Sequence, residues 1–202
     1  MLKKQFMICL IATFGFLQFG SASAATLDLI LSSNSVIEGD TFTVDVVISG
    51  LVEPGEFIST YNIDVAYDPG SLMATDVTFG TLLGSGSLTD ANYLPAHPLF
   101  VPGIVNIFEL SFLSDNDLKT NQGSSVNLAS ISFLAIAISA GDISIDPLFT
   151  DIVGDVNSAL QVDLDSVVSY TVSPIPLPGA LWLMITGVIG IGAMARKRGS
   201  AI

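Results

Sequence analysis

From Ala25 to Ser173, apolar residues recur at every second position in several separate runs. Leu27, Leu29 and Leu31 share one face, and Phe42, Val44, Val46 and Ile48 share another, opposite Thr43 and Asp45. Tyr61, Ile63, Val65 and Tyr67 alternate with Asn62 and Asp64, and later Leu160, Val162 and Leu164 alternate with Gln161, Asp163 and Asp165. A period of two puts one side of an extended chain in a core and the other in water. No part of this stretch sustains the 3.6-residue period of an amphipathic helix. Turn-forming clusters separate the runs: Glu38-Gly39-Asp40, Glu53-Pro54-Gly55, Asp68-Pro69-Gly70, Gly84-Ser85-Gly86 and Asn121-Gln122-Gly123. Many short strands punctuated in this way predict an all-β body, a sandwich or a barrel. Residues 82–102 are the longest stretch without a clear period and read as a large loop. No internal repeat and no second domain boundary interrupts residues 25–173.

Both ends break the alternation. Lys3 and Lys4 precede an apolar run from Phe6 to Phe19, followed by Ser21-Ala22-Ser23-Ala24-Ala25. A basic start, a short apolar stretch and an A-x-A-like site make residues 1–24 a signal peptide, with Ala22 and Ala24 at the recognised positions and Ala25 as the first mature residue. Cys9, the one cysteine, lies inside the apolar run rather than at the cleavage site, which argues against lipoprotein processing and leaves a mature chain without thiols or disulfides. At the other end, Gly179 to Ala195 is a 17-residue run without charge, closed by Arg196-Lys197-Arg198. As a helix it reaches roughly 26 Å, near the lower limit for crossing a bilayer. The basic cluster would stay on the cytoplasmic side, and Trp182 near the outer end suits the interface. The expected order is therefore a signal peptide, a β-sandwich over residues 25–173, and a tail over residues 174–202 with one C-terminal transmembrane helix.

Charge narrows the partners. The protein has 202 residues, 50% of them hydrophobic, with 19 acids against 6 bases. All the acids and a single base, Lys119, fall between Ala25 and Ser173, giving that body a formal charge of −18. Such a body repels phosphate, so nucleic-acid binding is excluded. Catalytic constellations are scarce as well. His97 is the only histidine and sits between prolines, and neither a G-x-S-x-G elbow nor an H-E-x-x-H pair occurs. A zinc site built on His and Cys has no ligands here. Calcium, which takes oxygen ligands, is the metal the composition allows. Asp115-Asn116-Asp117 is the tightest candidate, with a plain Asx turn between strands as the alternative reading.

Two resemblances sharpen these expectations. Pro174-Ile175-Pro176-Leu177-Pro178, followed by the glycine-containing apolar run and the basic cluster, resembles a PEP-CTERM-type sorting tail in its VPLPA-CTERM variant. Leu177 stands where the PEP form has glutamate, and Ile175 and Gly179 replace the first Val and the final Ala of the variant. The resemblance implies an exported protein directed to an exosortase-type membrane enzyme. The resemblance further implies an inner-membrane intermediate before the cell surface or extracellular matrix, whereas a plain anchor would keep the tail. In the body, Val36-Ile37-Glu38-Gly39-Asp40-Thr41-Phe42-Thr43-Val44-Asp45-Val46, Ile63-Asp64-Val65-Ala66-Tyr67-Asp68-Pro69-Gly70-Ser71-Leu72 and Leu128-Ala129-Ser130-Ile131-Ser132-Phe133 resemble cohesin modules. That family implies a nine-stranded jelly-roll-like sandwich that binds partners and has no catalytic machinery. The expected function is a non-enzymatic surface or matrix protein whose partner is another protein or an extracellular polysaccharide. The competing class is a secreted polysaccharide-active enzyme that uses carboxylates.

Overall fold

The computed structural model describes residues 24–52, 56–84, 93–95, 98–154, 160–176, 179–180 and 183–189. Thirteen strands and one short helix occur among them before the tail. In chain order these are β1 (Ala25–Leu31), β2 (Ser35–Ile37), β3 (Thr41–Ser49), β4 (Thr60–Ala66), β5 (Leu72–Phe79), β6 (Tyr93–Pro95), β7 (Leu99–Val101), β8 (Ile104–Ser111), α1 (Asp115–Asn121), β9 (Ser125–Ala135), β10 (Ser139–Ile145), β11 (Asp151–Val153), β12 (Val162–Asp163) and β13 (Val167–Ser173).

The strands form two sheets. One has the order β12-β1-β3-β9-β5; the other has the order β2-β13-β10-β4-β8-β6, with β11 also on β4 and β7 also on β8. The alternating runs read from sequence become the inner faces. Phe42, Val44, Val46 and Ile48 of β3 are buried against Tyr61, Ile63 and Val65 of β4 in one core. Near one end of the sandwich, Tyr67, Phe133, Phe42 and Tyr170 form a row of rings with centroids 5.2, 5.8 and 6.2 Å apart. Such contacts add specific geometry to apolar burial.

Strand interruptions explain why the number exceeds nine. β10 and β11 lie along the same β4 strand, pairing with Val65–Ala66 and Thr60–Asn62 respectively, and the chain between them contains Pro147, which has no N–H for a ladder. β6 and β7 both pair with β8. After β1 the chain crosses between sheets, so that β2 runs parallel to β13. The expected loop over residues 82–102 thus carries two short strands. The β7–β8 hairpin closes on Pro102-Gly103, where Gly103 has φ +92° at the position a type II turn reserves for glycine.

Two further expectations change. Asn121-Gln122-Gly123 is not a free turn: Asn121 ends α1 and the Gln122 side chain is buried. Asp115-Asn116-Asp117 forms the first turn of α1 instead of a turn between strands. The Ser114 side chain caps this helix by accepting the Asp117 N–H, an arrangement that acids in a first helical turn reinforce. In the tail, residues 179–180 and 183–189 are helical. Among the described residues no helix is long and apolar enough to cross a membrane. The expected span of 179–195 includes residues 181–182 and 190–195, which lie outside the described ones, as do Arg196–Arg198. The signal-peptide segment through Ser23 also lies outside them.

Candidate binding face

Strand alternation gives each sheet an outer face, and the two outer faces differ. On β1, β3 and β9 the outward positions include Thr26, Asp28, Thr43, Asp45, Ser49, Asn127, Ser130 and Ser132. Hydroxyls and carboxylates there bond one another, as in Thr26 with Ser49 (2.8 Å) and Ser130 donating to Asp45. Ile30 (51% exposed), Val47 and Leu134 also point outward here, so this surface is mainly polar with scattered apolar side chains.

The eight-stranded sheet presents something else. Its β8 strand is apolar on both sides: Val105 and Ile107 point into the core, while Ile104, Phe108 and Leu110 point out and are half-buried. Asn106 sits among them and donates from Nδ2 to Asn62 (2.8 Å) and to Asp64 on β4. Opposite Asn106 on β7 is Leu99, 60% exposed. On the other edge of β4, Asp146 N–H donates to the Asp64 carbonyl (2.9 Å) and starts a turn that holds Leu148 and Phe149, 86% and 62% exposed. Asp151 and Val153 of β11 continue the edge and are also exposed. Apolar side chains interspersed with Asp64, Asp142, Asp146 and Asp151 make a face on which burial by a partner is favourable and a basic partner is favoured.

The buried polar groups hold strands together. Tyr61 on β4 bonds Glu109, which points inward from β8, and lies 2.9 Å from the Leu128 carbonyl on β9, tying the two sheets. The Asp68-Pro69-Gly70 turn is an Asx turn, with Gly70 N–H donating to Asp68 Oδ1 (2.9 Å); Asp68 Oδ2 also accepts from Ser71 Oγ (3.0 Å). Ser71 in turn bonds the Tyr170 hydroxyl at 2.6 Å. Tyr170 lies across from Gly141 on β10, where an added Cβ would come within 2.8 Å of the phenolic oxygen. Burial raises the pKa of Tyr170; the Ser71 hydrogen bond lowers it, and nearby Asp68 and Asp142 raise it. Gln122 closes the other end of the sandwich: Ile58 N–H donates to its Oε1 (2.8 Å), and its Nε2 donates to the Ile58 carbonyl (2.7 Å).

The residues singled out from sequence fall in different places. Asp115, Asn116 and Asp117 are exposed on α1, and Asp117 Oδ2 accepts a hydrogen bond from Ser114 Oγ (2.7 Å). Among the described residues no group of three or more His, Cys, Asp or Glu side chains is placed to hold a metal ion. Ala25 opens β1 and is buried, Ala24 before it is exposed, and Ala22 lies outside the described residues. Pro174, Ile175 and Pro176 are exposed, non-helical chain, while Leu177, Pro178 and His97 lie outside the described residues. Tyr61 and Tyr170 are buried and Tyr67 is partly buried, packed against the core. The outer face of β8, with Leu99 and the Leu148-Phe149 turn, was missed by sequence reasoning. The available signal was the run from Ile104 to Leu110, apolar in both phases, which marks a strand covered on two sides.

Two packed sheets with a chain crossing between them, a single apolar core and one apolar-acidic outer face define an all-β jelly-roll-like sandwich. The cohesin domain family profile matches residues 27–172, and the chain belongs to that family. Solved structures share the fold. The cohesin module of a family 33 glycoside hydrolase from Clostridium perfringens superposes with a TM-score of 0.57 at 11% identity, over 76% of this chain and 100% of that one. A cohesin from Clostridium acetobutylicum gives 0.53 at 22% identity, over 76% and 94%. The third ScaC cohesin of Acetivibrio cellulolyticus, solved in complex with the ScaB dockerin, gives 0.51 at 13%, over 75% and 99%. No curated protein matched the chain.

Proposed function

We propose that residues 25–173 are a non-catalytic module that binds another protein, of the dockerin kind, through the outer face of the eight-stranded sheet. The observation carrying this reading is the contrast between the two outer faces: mostly hydroxyls and acids with isolated Ile30, Val47 and Leu134 on one, and Leu99, Phe108, Leu110, Leu148 and Phe149 clustered among carboxylates on the other. Membership of the cohesin family and the dockerin complex of the ScaC relative support a protein ligand. The partner would present apolar side chains with Lys or Arg among them, since Lys119 is the one base in the body. The chain is exported, cut after Ala24, and carried by the 174–202 tail into the inner membrane. There an exosortase-type enzyme cuts near Pro174–Pro178 and passes the body to the cell surface or matrix.

Photocrosslinking in the producing cells tests both halves. A benzophenone side chain at Phe108 or Leu148 should yield a protein adduct identifiable by mass spectrometry, whereas one at Ser130 on the opposite face should not. Equal adducts from both faces, or carbohydrate adducts at Phe108, would overturn the assignment of a protein-binding face. Terminal sequencing of the same surface-exposed protein should find Ala25 first and neither Trp182 nor Arg198. Retention of Arg198 would reduce the tail to a plain anchor.

A further inference from the structure

Strand register places the exit of the chain. β13 ends at Ser173, paired with Ile37 of β2, while Val172 lies opposite Ser139 at the start of β10. At the same end lie the Glu38-Gly39-Asp40 turn, whose Glu38 N–H donates to the Ser173 carbonyl (2.9 Å), the Tyr67–Ser71 turn, the β7–β8 hairpin and the β9–β10 connection. Tyr67 N–H reaches the Gly103 carbonyl (2.9 Å) and Ile136 N–H the Ser71 carbonyl (2.8 Å), so these connections form one end surface. β1 begins at the other end, with Thr26 opposite Ser49.

The exit end also carries a cleft of about 310 Å³ between the edge strands β5 and β7, lined mainly by Tyr67, Leu72, Met73, Phe100, Val101 and Ile136. Met73, Phe100, Val101 and Ile136 are each between 41% and 47% exposed, and Ile138, two residues after Ile136 in the β9–β10 connection, is 58% exposed. A cluster of half-exposed large apolar residues at one end of a sandwich is a surface awaiting cover. The cleft and the exit are close. From β13 to β7 is four strand spacings, about 19 Å at ~4.8 Å each. The segment 174–178 extends at most ~17 Å before Gly179.

We propose that this end of the sandwich rests on a lipid surface, with Met73, Phe100, Val101, Ile136 and Ile138 entering the headgroup–acyl boundary while the tail is attached. The inference rests on the tail reading given above, because a membrane helix starting at Gly179 on so short a linker brings this end to the bilayer. Asp40 and Asp68, both exposed on the same end, disfavour an anionic surface, so a zwitterionic bilayer is the matching one. The contact would hold Pro174–Pro178 beside the interface, where a membrane enzyme can reach it. It would also let the body leave once the helix is cut away, because one small apolar patch anchors far more weakly than a membrane helix.

The test uses the mature chain with its tail, residues 25–202, reconstituted in phosphatidylcholine vesicles whose acyl chains carry bromine near the headgroups, which quenches indole fluorescence on contact. Native Trp182 reports the tail. Phe100→Trp and, at the opposite end, Phe112→Trp, each combined with Trp182→Phe, report the two ends of the body. The expected result is loss of emission for Trp182 and for the Phe100→Trp reporter, with the Phe112→Trp reporter unaffected. Adding Met73→Glu and Ile138→Glu should restore emission of the Phe100→Trp reporter. Quenching of Trp182 with an unquenched Phe100→Trp reporter overturns the docking and leaves the tail reading intact. An unquenched Trp182 overturns the tail reading, and quenching of the Phe112→Trp reporter instead means that the other end faces the lipid, which also overturns the proposal.

Discussion

Replacing Gln122 should cost more stability than its place after a short helix implies. Its side-chain amide acts as a piece of strand, accepting from Ile58 N–H at 2.8 Å and donating to the Ile58 carbonyl at 2.7 Å. Ile58 is fully buried and Gln122 is 4% exposed, so water cannot easily take over either bond. Gln122→Ala would leave a buried donor and a buried acceptor without partners, at about 1–3 kcal/mol each, or ~2–6 kcal/mol together. Against a typical total of about 5–15 kcal/mol, that is a large fraction. Gln122→Met keeps most of the volume but neither hydrogen bond, so it separates packing from polar satisfaction. Gln122→Glu keeps the acceptor but turns a carboxylate toward the Ile58 carbonyl. All three should lower the urea midpoint, Gln122→Ala by roughly 1–3 M for a slope of about 2 kcal/mol/M. Hydrogen exchange at the Ile58 amide should accelerate, and the effect should spread to Ser59, whose N–H donates to Val153 and whose carbonyl accepts from Ser111 at the start of β4. If Gln122→Met is as stable as the wild type, the amide bridge contributes nothing and the reasoning is wrong.

Two further outcomes follow from local geometry. Tyr170 has its pKa raised above 10.0 by burial, so the folded state holds the phenolic proton more tightly than the unfolded chain; this contribution is complete below pH 10 and is lost as pH rises through the folded-state value. Alkaline unfolding followed by circular dichroism should therefore show a fall in stability above pH 10 that Tyr170→Phe reduces, and an unchanged slope would refute the assignment. For Asp115, Asn116 and Asp117, whose acids serve a helix N-terminus with Asp117 bonded to Ser114, millimolar calcium against chelator should leave Tm unchanged. A rise in Tm abolished by Asp115→Ala and Asp117→Ala would restore the calcium assignment.

The inner faces were legible because a strand with one side in water must alternate, and Phe42–Ile48 and Tyr61–Tyr67 do so apart from Val47 and Ala66 at outward positions. The Asp68-Pro69-Gly70 turn was legible for a local reason, since its Asx bond lies within three residues. Gln122 was not legible: its partner Ile58 is 64 residues away, and Asn-Gln-Gly looks like any exposed turn. α1 was hidden because seven residues offer too little period to separate a helix from a loop, although Ser114 with an acid three residues later is a capping signal. The binding face escaped for a different reason. Phe108 and Leu110 look like core in a one-dimensional pattern, and only the pairing of β8 with β4, β6 and β7 shows that they lie outside the sandwich.

The proposed partner face and lipid-facing end meet on β7 without competing. Leu99 pairs with Asn106 and belongs to the outer sheet face, while Phe100, one residue on, pairs with Val105 and lines the cleft at the end of the sandwich. A period of two assigns Leu99 and Phe100 to different surfaces, while Val101, paired with Ile104 and also lining the cleft, borders both. The sheet face runs along the strands and the end surface lies across their tips, so a body resting on a bilayer by its tips keeps the face beside Asp64 and Leu148 turned sideways, open to a partner. Lipid contact and partner binding can then be occupied together before the tail is cut. Substitutions at Leu99 and at Phe100 should separate the two activities, although only one peptide bond divides them.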